Sequence, residues 1–232
     1  MNQKKRVRPF KFSGVIPPGD VLHARVPKGE ETTIAPTWVP VPGGSVPQYS
    51  PTISQSGPTG FAPASDCQGN FMSYRFQPNN NCYNYGCDIA TNSFAQPGRM
   101  HGVAMTPFTP QQVVKAATAD GLQDLGTDYP SPAVLEGPGH VVALMFSPPD
   151  DSVGWPGDFH WARYDQKQGA WSQKDGGDQV TNFDFAGQPL TNPATANWTV
   201  NQGPSTNGGD EYIVSYQFVT FMQVPPTGVN II

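Results

Sequence analysis

The sequence predicts an α+β domain that is preceded by an extended, proline-rich arm. Eleven of the 26 prolines lie before Ala64. Because proline lacks a backbone donor and fixes φ, such a segment does not build a core of its own. From Asp66 onward, apolar residues recur first at helical spacing and then in runs typical of strands. We therefore expect an arm over residues 1–65 and one folded domain over residues 66–232.

Two helices are predicted in the first half of this domain. One covers residues 82–94, where Asn80 or Asn81 can cap the free amides at the helix start. The other begins at Thr109-Pro110, which places proline at the first helical position after a capping threonine. Apolar residues continue this second helix at helical spacing.

The second half of the domain predicts a sheet. Residues 141–146 form a continuous apolar run, which is typical of a central strand, and residues 159–165 with 170–173 predict a hairpin. Residues 212–219 alternate and are expected to close the sheet. The stretch 182–209 is rich in Asn, Thr, Pro and Gly, so we expect a long surface excursion there.

Composition and charge limit the classes of function. Charged residues make up 13% of the chain and the formal net charge is -5. Nucleic-acid-binding domains normally carry a basic stripe, so no nucleic-acid partner is expected. No window approaches the roughly 18 consecutive apolar residues that a membrane-spanning helix requires, so no membrane span is expected.

The first residues do not match a signal peptide. A basic stretch over residues 4–8 resembles the start of one, but the apolar segment that must follow is interrupted by Lys11, Ser13 and Gly14. If the protein leaves a cell, we therefore expect release by lysis, export by a dedicated machine, or transport as part of a virion.

The arm allows two interpretations. Its spaced aromatic and valine side chains can anchor it on a surface, either that of the domain or that of a particle or assembly partner. The alternative is a disordered tail. We favour an arm that docks through residues 1–65.

Three residues of the domain occur in an order that suits a cysteine hydrolase. Cys82 stands at a predicted helix start, where the free amides and the dipole favour a thiolate. His140 opens an apolar strand, and His160 lies in the next strand. A thiolate nucleophile needs a base, and the base needs an orienting group. We expect Cys82 as nucleophile, His140 as base and His160 as orienting group, with Asp158 as the alternative third residue.

The other cysteines leave alternatives open. Cys67 follows an aspartate and is a rival nucleophile, although no clear helix follows it. Cys87 is expected to be a small buried residue, or to bridge to Cys67 in an oxidising compartment. Cys82 and Cys87 are five residues apart, which is wider than the usual zinc pair, and no His-x3-His partner exists. We therefore expect no metal and no cofactor.

Several phrases of the domain resemble the papain-like superfamily, especially its NlpC-like and CHAP-type cell-wall amidases. The resemblance covers roughly residues 76–185. Its phrases are Asn80-Asn81-Cys82-Tyr83-Asn84-Tyr85, Phe94-Ala95-Gln96-Pro97-Gly98, Gly139-His140-Val141-Val142-Ala143-Leu144, Phe159-His160-Trp161-Ala162-Arg163-Tyr164 and Trp171-Ser172-Gln173-Lys174. The resemblance implies a papain-like (NlpC-type) fold, with the nucleophile helix packed on an antiparallel sheet. By matching position, it implies the same roles for Cys82, His140 and His160.

The oxyanion site is where the sequence departs from that family. The NlpC-like group commonly has Asp-Cys-Ser at the nucleophile, whereas Asn81-Cys82-Tyr83 stands here. In that group an upstream tyrosine can help to bind the oxyanion, which makes Tyr74 the matching candidate. Tyr83 is expected to line the cleft, and the backbone N–H of Cys82 is the more secure donor.

Two functions are compatible with these features. The first is a cysteine-dependent amide hydrolase, a cysteine peptidase or thiol protease. By resemblance it cleaves peptidoglycan peptide or amide bonds, in cell wall degradation by a phage or a bacterium. The second is a structural or adaptor protein of a virion or injection machine, which keeps the papain-like frame with little or no activity. The proline-rich arm and the low charge favour this second function.

Overall fold

The structure of the protein is a computed structural model that describes Gly14, residues 35–54, Phe71, and residues 76–204 and 211–232. These residues form twelve β-strands, three α-helices and two 3-10 turns. The elements in chain order are β1 (Thr37–Val41), β2 (Gly44–Gln48), β3 (Ile53–Ser54), a 3-10 turn (Gln77–Asn79), α1 (Cys82–Cys87), β4 (Ile89–Ala90), a 3-10 turn (Arg99–His101), α2 (Pro110–Ala119), β5 (Gln123–Gly126), α3 (Pro132–Leu135), β6 (His140–Ser147), β7 (Asp158–Asp165), β8 (Ala170–Lys174), β9 (Val180–Thr181), β10 (Thr199–Pro204), β11 (Glu211–Ser215) and β12 (Gln217–Val224).

A six-stranded antiparallel sheet forms the centre of the domain. Its strand order is β5-β12-β6-β7-β8-β9. Strand β6 is central, pairs with β12 on one side and β7 on the other, and is buried along its whole length. This burial on both faces is what a continuous apolar run predicts. Strands β6, β7 and β8 lie within one residue of the predicted strands.

The two faces of the sheet carry separate cores, because successive side chains of a strand point to opposite faces. On the helix face, Val142, Leu144 and Trp161 pack with residues of α1 and α2. On the aromatic face, the alternate residues of β6 and β7 pack against the segment that precedes β11, which contributes Leu190 and Trp198. The members of this second core include Val141, Ala143, Met145, Ala162, Trp171, Leu190, Trp198, Val214 and Tyr216.

The prediction of a papain-like α+β fold, with a nucleophile helix packed on the sheet, is wrong, because the domain is mostly β. The three helices have only six, ten and four residues. The helix that was expected over residues 82–94 ends at Cys87, because Asp88 adopts a left-handed conformation with φ 58°. The chain then enters the short strand β4 instead of continuing the helix. Helix α1 packs against β7 and β8.

Helix α2 begins where the sequence predicts. Pro110 is its first residue, and the Thr109 hydroxyl accepts a hydrogen bond from the backbone N–H of Gln112. The segment from 182 onward differs from the expected surface excursion. It buries Leu190 and Trp198 on the aromatic face, and it ends in a hairpin of β10 and β11.

The described part of the arm is folded against the domain. Strands β1 and β2 form a hairpin, and β3 pairs with β4. The backbone N–H of Tyr49 donates to the Asn92 carbonyl at 2.9 Å, and the Asn92 side-chain amide donates to the Pro51 carbonyl at 2.9 Å. The boundary expected near residue 65 lies outside the described residues.

Candidate functional site

Helix α1 carries Cys82 and starts with a double cap. The Asn81 side chain accepts from the Asn84 N–H at 3.0 Å, and the Asn84 side chain accepts from the Asn81 N–H at 3.1 Å. Two orphan amides of the first turn are thereby satisfied. Helix α1 therefore begins at Cys82, as the sequence predicts.

The thiol of Cys82 is completely buried. Its side chain has no exposed surface, and Sγ lies 3.8 Å from the Phe159 carbonyl, to which it donates a weak hydrogen bond. Burial raises the pKa of Cys82 well above its usual range, and the nearby Asp158 charge raises this pKa further. The thiol is therefore protonated at neutral pH, and a thiol in that state is a poor nucleophile.

His140 lies on the helix face and contacts α1, but at the far end from Cys82. Its Nε2 is 2.7 Å from the carbonyl oxygen of Gly86. Burial lowers the pKa of His140 to about 4, and the Arg163 charge adds to this effect. A neutral imidazole bonded to a carbonyl must donate, so Nε2 carries the proton here. Gly86 is four residues beyond Cys82, about 6 Å along the helix axis.

His160 lies on the aromatic face, away from both Cys82 and His140. In the sheet it is opposite Met145, which is five residues along β6 from His140, roughly 16 Å at the usual rise of a strand. Its ring is surrounded by the rings of Phe185 and Trp198, with centroids 5.2 Å away in each case. The structure therefore does not bring His160 to the other two residues of the expected triad.

The charge state of His160 follows from this apolar setting. Burial lowers its pKa to about 3, against a smaller opposing contribution from the Gln173 side chain. Among the described residues, neither ring nitrogen has a hydrogen-bond partner in good geometry. His160 is thus a neutral member of an aromatic core.

Asp158, the alternative third residue, binds backbone and a tyrosine instead of a histidine. Its carboxylate accepts from the Gly14 N–H at 3.1 and 3.3 Å, and from the Tyr216 hydroxyl at 2.8 Å. It also accepts from its neighbour, the Phe159 N–H, at 2.8 Å. Asp158 therefore anchors Gly14 of the arm.

The two tyrosines expected near the cleft have different outcomes. Tyr83 is buried on the helix face, and its hydroxyl donates to the Asp120 carboxylate at 2.8 Å. Asp120 directly follows α2, so Tyr83 ties α1 to the end of α2, and the same carboxylate also accepts from the Gly98 N–H at 2.7 Å. Tyr74 lies outside the described residues, as does Cys67. Cys87 is a buried free thiol.

Two buried cations hold α1 and its cap on the sheet. Arg163 donates to the Asp88 carboxylate at 2.8 Å and lies over the Tyr85 ring at 4.0 Å from its centroid. Lys174 is fully buried, and its Nζ donates to the carbonyl oxygens of Gln77 at 2.8 Å, Asn80 at 2.5 Å and Gly176 at 2.7 Å. A buried ammonium requires partners of this kind, because the loss of hydration otherwise favours the neutral amine over the charged ammonium.

Gln96 and Gly14 form contacts at the start of α1 that the sequence did not predict. The carbonyl oxygen of Gly14 accepts from the Asn81 side-chain amide at 2.9 Å and from the Gln96 side-chain amide at 2.5 Å. The phrase that contains Gln96 was a visible signal, since it stands between the first helix and a Pro-Gly turn. Gly14 gave no signal, because its partners are far away in the sequence.

The described residues also line a cavity of about 550 Å³ at the β8–β9 edge of the sheet, on the far side of β7 from β6. Its lining residues are Gln77, Gln173, Asp175, Asp178, Gln179, Thr181, Asp184 and Phe185.

Across the part of the chain that the structure describes, no group of three or more His, Cys, Asp or Glu side chains is arranged to hold a metal ion. No helix in that part is long and apolar enough to cross a membrane.

Comparison with known proteins gives one informative relationship. The chain is 38% identical over 140 residues to insoluble matrix shell protein 1 of Ruditapes philippinarum. The aligned segment covers 53% of this chain and 81% of that relative. No family model and no solved structure matches the chain. The resemblance of the sequence to the papain-like superfamily therefore stays a prediction.

The prediction of a hydrolase is wrong in the light of this relationship. The relative carries the name of a shell matrix protein, and not that of a cysteine peptidase, a thiol protease or a phage protein of cell wall degradation. The buried, protonated thiol of Cys82 agrees with this correction.

Proposed function

Because the chain belongs to the family of insoluble matrix shell protein 1, we propose that it is a structural protein which assembles into an insoluble matrix. The observation that carries this proposal is the identity of 38% over 140 residues, which span 81% of the relative. A structural role was the second of the two functions compatible with the sequence. The matrix takes the place of the virion or injection machine, and the assembly partners are further matrix components or copies of this chain.

The way in which the reactive groups are used supports a structural role. The Cys82 thiol, the His140 imidazole and the Asp158 carboxylate each bind a backbone group inside the fold. In a working triad these three groups would face one another and a substrate. Here the Cys82 thiol joins α1 to β7, the His140 imidazole joins β6 to α1, and the Asp158 carboxylate joins β7 to Gly14.

The buried charges support a long-lived fold. The Arg163–Asp88 ion pair has side chains only 4% and 8% exposed, and it joins β7 to the end of α1. Loss of one partner of such a pair leaves an uncompensated buried charge, which costs about 3–5 kcal/mol. Partial opening of this region is therefore strongly disfavoured, and this suits a protein that remains in a permanent assembly.

Two hairpins supply surfaces for association. The pairs β1–β2 and β10–β11 each form a two-stranded sheet, so within the described ranges one long edge of each strand has no strand partner. Trp38 on β1 is 62% exposed and Ile213 on β11 is 52% exposed. Strand edges beside exposed apolar side chains favour pairing with another chain.

The test is the concentration dependence of assembly of the full-length protein. We expect the wild type to enter sedimenting, insoluble material as its concentration rises. The double variant Trp38→Ser, Ile213→Ser should stay soluble to clearly higher concentration, because it loses the exposed apolar groups of both hairpins. The measurement is sedimentation velocity together with the pelleted fraction.

The matched control changes two exposed polar residues of the β7–β8 turn, Lys167→Ser with Gln168→Ser, and it should assemble like the wild type. A wild-type protein that remains monomeric at every concentration would contradict the proposed function. Equal assembly of both double variants would show that the exposed apolar residues of the two hairpins do not drive assembly.

A further inference from the structure

The backbone of Gly14 is bound on both of its polar groups. Its N–H donates to the Asp158 carboxylate at 3.1 and 3.3 Å. Its carbonyl accepts from the side-chain amides of Asn81 at 2.9 Å and Gln96 at 2.5 Å. We call Asn81, Gln96, Asp158 and Phe159 the glycine clamp. Full pairing of one residue in this way is how an extended peptide is recognised through its main chain.

Phe159 restricts the clamp to glycine. A Cβ atom on Gly14 would overlap the Phe159 ring, with the ring atom Cζ at 2.7 Å and two further ring atoms closer still. The Phe159 ring is fully buried and packs edge-on against Tyr83, at 6.4 Å between ring centroids. Because a close-packed core does not yield space for an extra methyl group, even alanine is excluded.

The clamp is held in place by contacts that do not involve Gly14. Asn81 caps α1 and also donates to the Ala95 carbonyl at 2.7 Å. Asp158 accepts from the Tyr216 hydroxyl at 2.8 Å. Binding groups fixed by their own neighbours lose little freedom when a ligand docks, and this favours affinity.

The number of residues between Gly14 and the next described segment determines whether Gly14 can reach the clamp of a neighbouring copy. Twenty residues separate Gly14 from Ala35, where the next described segment begins. A chain of that length can span up to about 70 Å, whereas a folded chain of this size has a radius of gyration of about 17 Å. The Gly14 segment is therefore long enough to reach the clamp of a neighbouring copy.

We propose that the glycine clamp is an exchange site, in which Gly14 of one copy docks into the clamp of a second copy in the assembled protein. This inference rests on the proposed matrix function. Exchange replaces each contact by an identical one from the partner, so it costs no hydrogen bonds and links the copies without a new interface. A heterologous exchange of this kind continues from copy to copy and yields an extended polymer.

Isotope mixing tests the exchange directly. Full-length protein carrying Phe12→p-benzoylphenylalanine is prepared in a light and a ¹⁵N-labelled form. The two forms are mixed in equal amounts while dilute, assembled by concentration, and photo-cross-linked. Docking between copies predicts that about half of the cross-links from residue 12 to clamp peptides join light to heavy chains, as random pairing in a symmetric assembly requires.

Two glycine variants provide the control pair. Gly14→Ala should lose cross-links to the clamp and shift the assembly to smaller species. Gly177→Ala, which lies outside the clamp and both hairpins, should retain both, because a Cβ at Gly177 meets its nearest atoms at 3.4 Å or more, an ordinary van der Waals contact. Thermal unfolding of Gly14→Ala near the wild-type midpoint verifies that the domain itself remains folded.

The outcomes separate this inference from the proposed function. If the wild type assembles but every cross-link to the clamp joins chains of one isotope, docking occurs within each copy and the exchange is refuted while the matrix function stands. The exchange also fails if Gly14→Ala assembles and cross-links like Gly177→Ala. If the wild type does not assemble at any concentration, it is the proposed function that fails.

Discussion

The helix face and the aromatic face of the sheet bury polar groups in opposite ways. On the helix face, His140 and Arg163 both form hydrogen bonds to α1 or its cap. On the aromatic face, His160 stands among Phe185, Trp198 and Tyr216, with no well-formed hydrogen bond among the described residues. Histidine thus joins the sheet to α1 by a hydrogen bond on one face, and it packs among aromatic rings on the other. What a buried histidine does depends on what covers its face.

Breaking the ion pair of the helix face should give the largest effect. Arg163→Met leaves the Asp88 carboxylate buried without its cation, so we expect the free energy of unfolding to fall by about 3–5 kcal/mol. Urea denaturation of the dilute protein measures this loss. Adding Asp88→Asn should recover part of it, because no buried charge remains and asparagine tolerates the left-handed backbone at this position.

The exposed Lys167→Met is the control for Arg163→Met and should change the free energy of unfolding by less than about 0.5 kcal/mol. An effect of Arg163→Met as small as that of the control would show that the ion pair contributes little to the fold.

Acid should destabilise both faces through their histidines. The folded-state pKa is about 4 for His140 and about 3 for His160, compared with 6.5 in the unfolded chain. Between pH 6.5 and these values the unfolded state binds more protons, so stability is full above pH 6.5 and falls as the pH is lowered. We expect a loss of about 3 kcal/mol per histidine by pH 4.

The measurement for the acid effect is the urea midpoint as a function of pH. His160→Phe should reduce the loss of stability between pH 6.5 and 3 by about half, because only the contribution of His140 then remains of the two. A profile of this variant that matches the wild type would mean that His160 is not the titrating group.

Replacing each histidine by phenylalanine should give small effects of opposite sign. His160→Phe removes two buried nitrogens from an aromatic core and should raise the free energy of unfolding by about 1 kcal/mol at pH 7. His140→Phe leaves the Gly86 carbonyl without its donor and should lower it by about 1–3 kcal/mol. Denaturation of the two variants side by side is the check, and effects of the same sign would erase the contrast between the two faces.

Local pattern was sufficient for the elements whose formation depends on neighbours in the sequence. The apolar run at 141–146 predicts β6, and the Thr109-Pro110 step predicts the start of α2. Asn80 or Asn81 was expected to cap α1, and the cap is Asn81, whose partner Asn84 is only three residues away. In each case the interactions that stabilise the element lie within one turn or one strand, so they can be predicted from neighbouring residues in the sequence.

Helix α1 shows where local pattern fails. Apolar residues continue at helical spacing beyond Cys87, yet Asp88 turns left-handed and its side chain is bound by Arg163 from β7. The side chain of Asn84 donates to the Ile89 carbonyl and accepts from the Ala95 N–H, at 2.9 Å in each case. These tertiary bonds satisfy the backbone after the turn, so the helix does not need to continue.

The residues of the expected triad lie apart for a related reason. The order of Cys82, His140 and His160 places each residue at a sensible point of its own element. Strand alternation predicts that Asp158 and His160 share a face, but it does not say which face α1 will cover. In the fold, α1 lies over Phe159 and Trp161, so His160 is turned to the other side of the sheet.

The sequence by itself determined the strands of the second half, the start of α2 and the capped start of α1. Only the tertiary structure decided that Cys82 is a fully buried core residue, that the two histidines lie on opposite faces, and that Gly14 enters a clamp 144 residues away at Asp158. The physical reason is that helical and strand periods are set by neighbouring residues, whereas burial, pKa and hydrogen-bond partners are set by whichever distant segment covers a face.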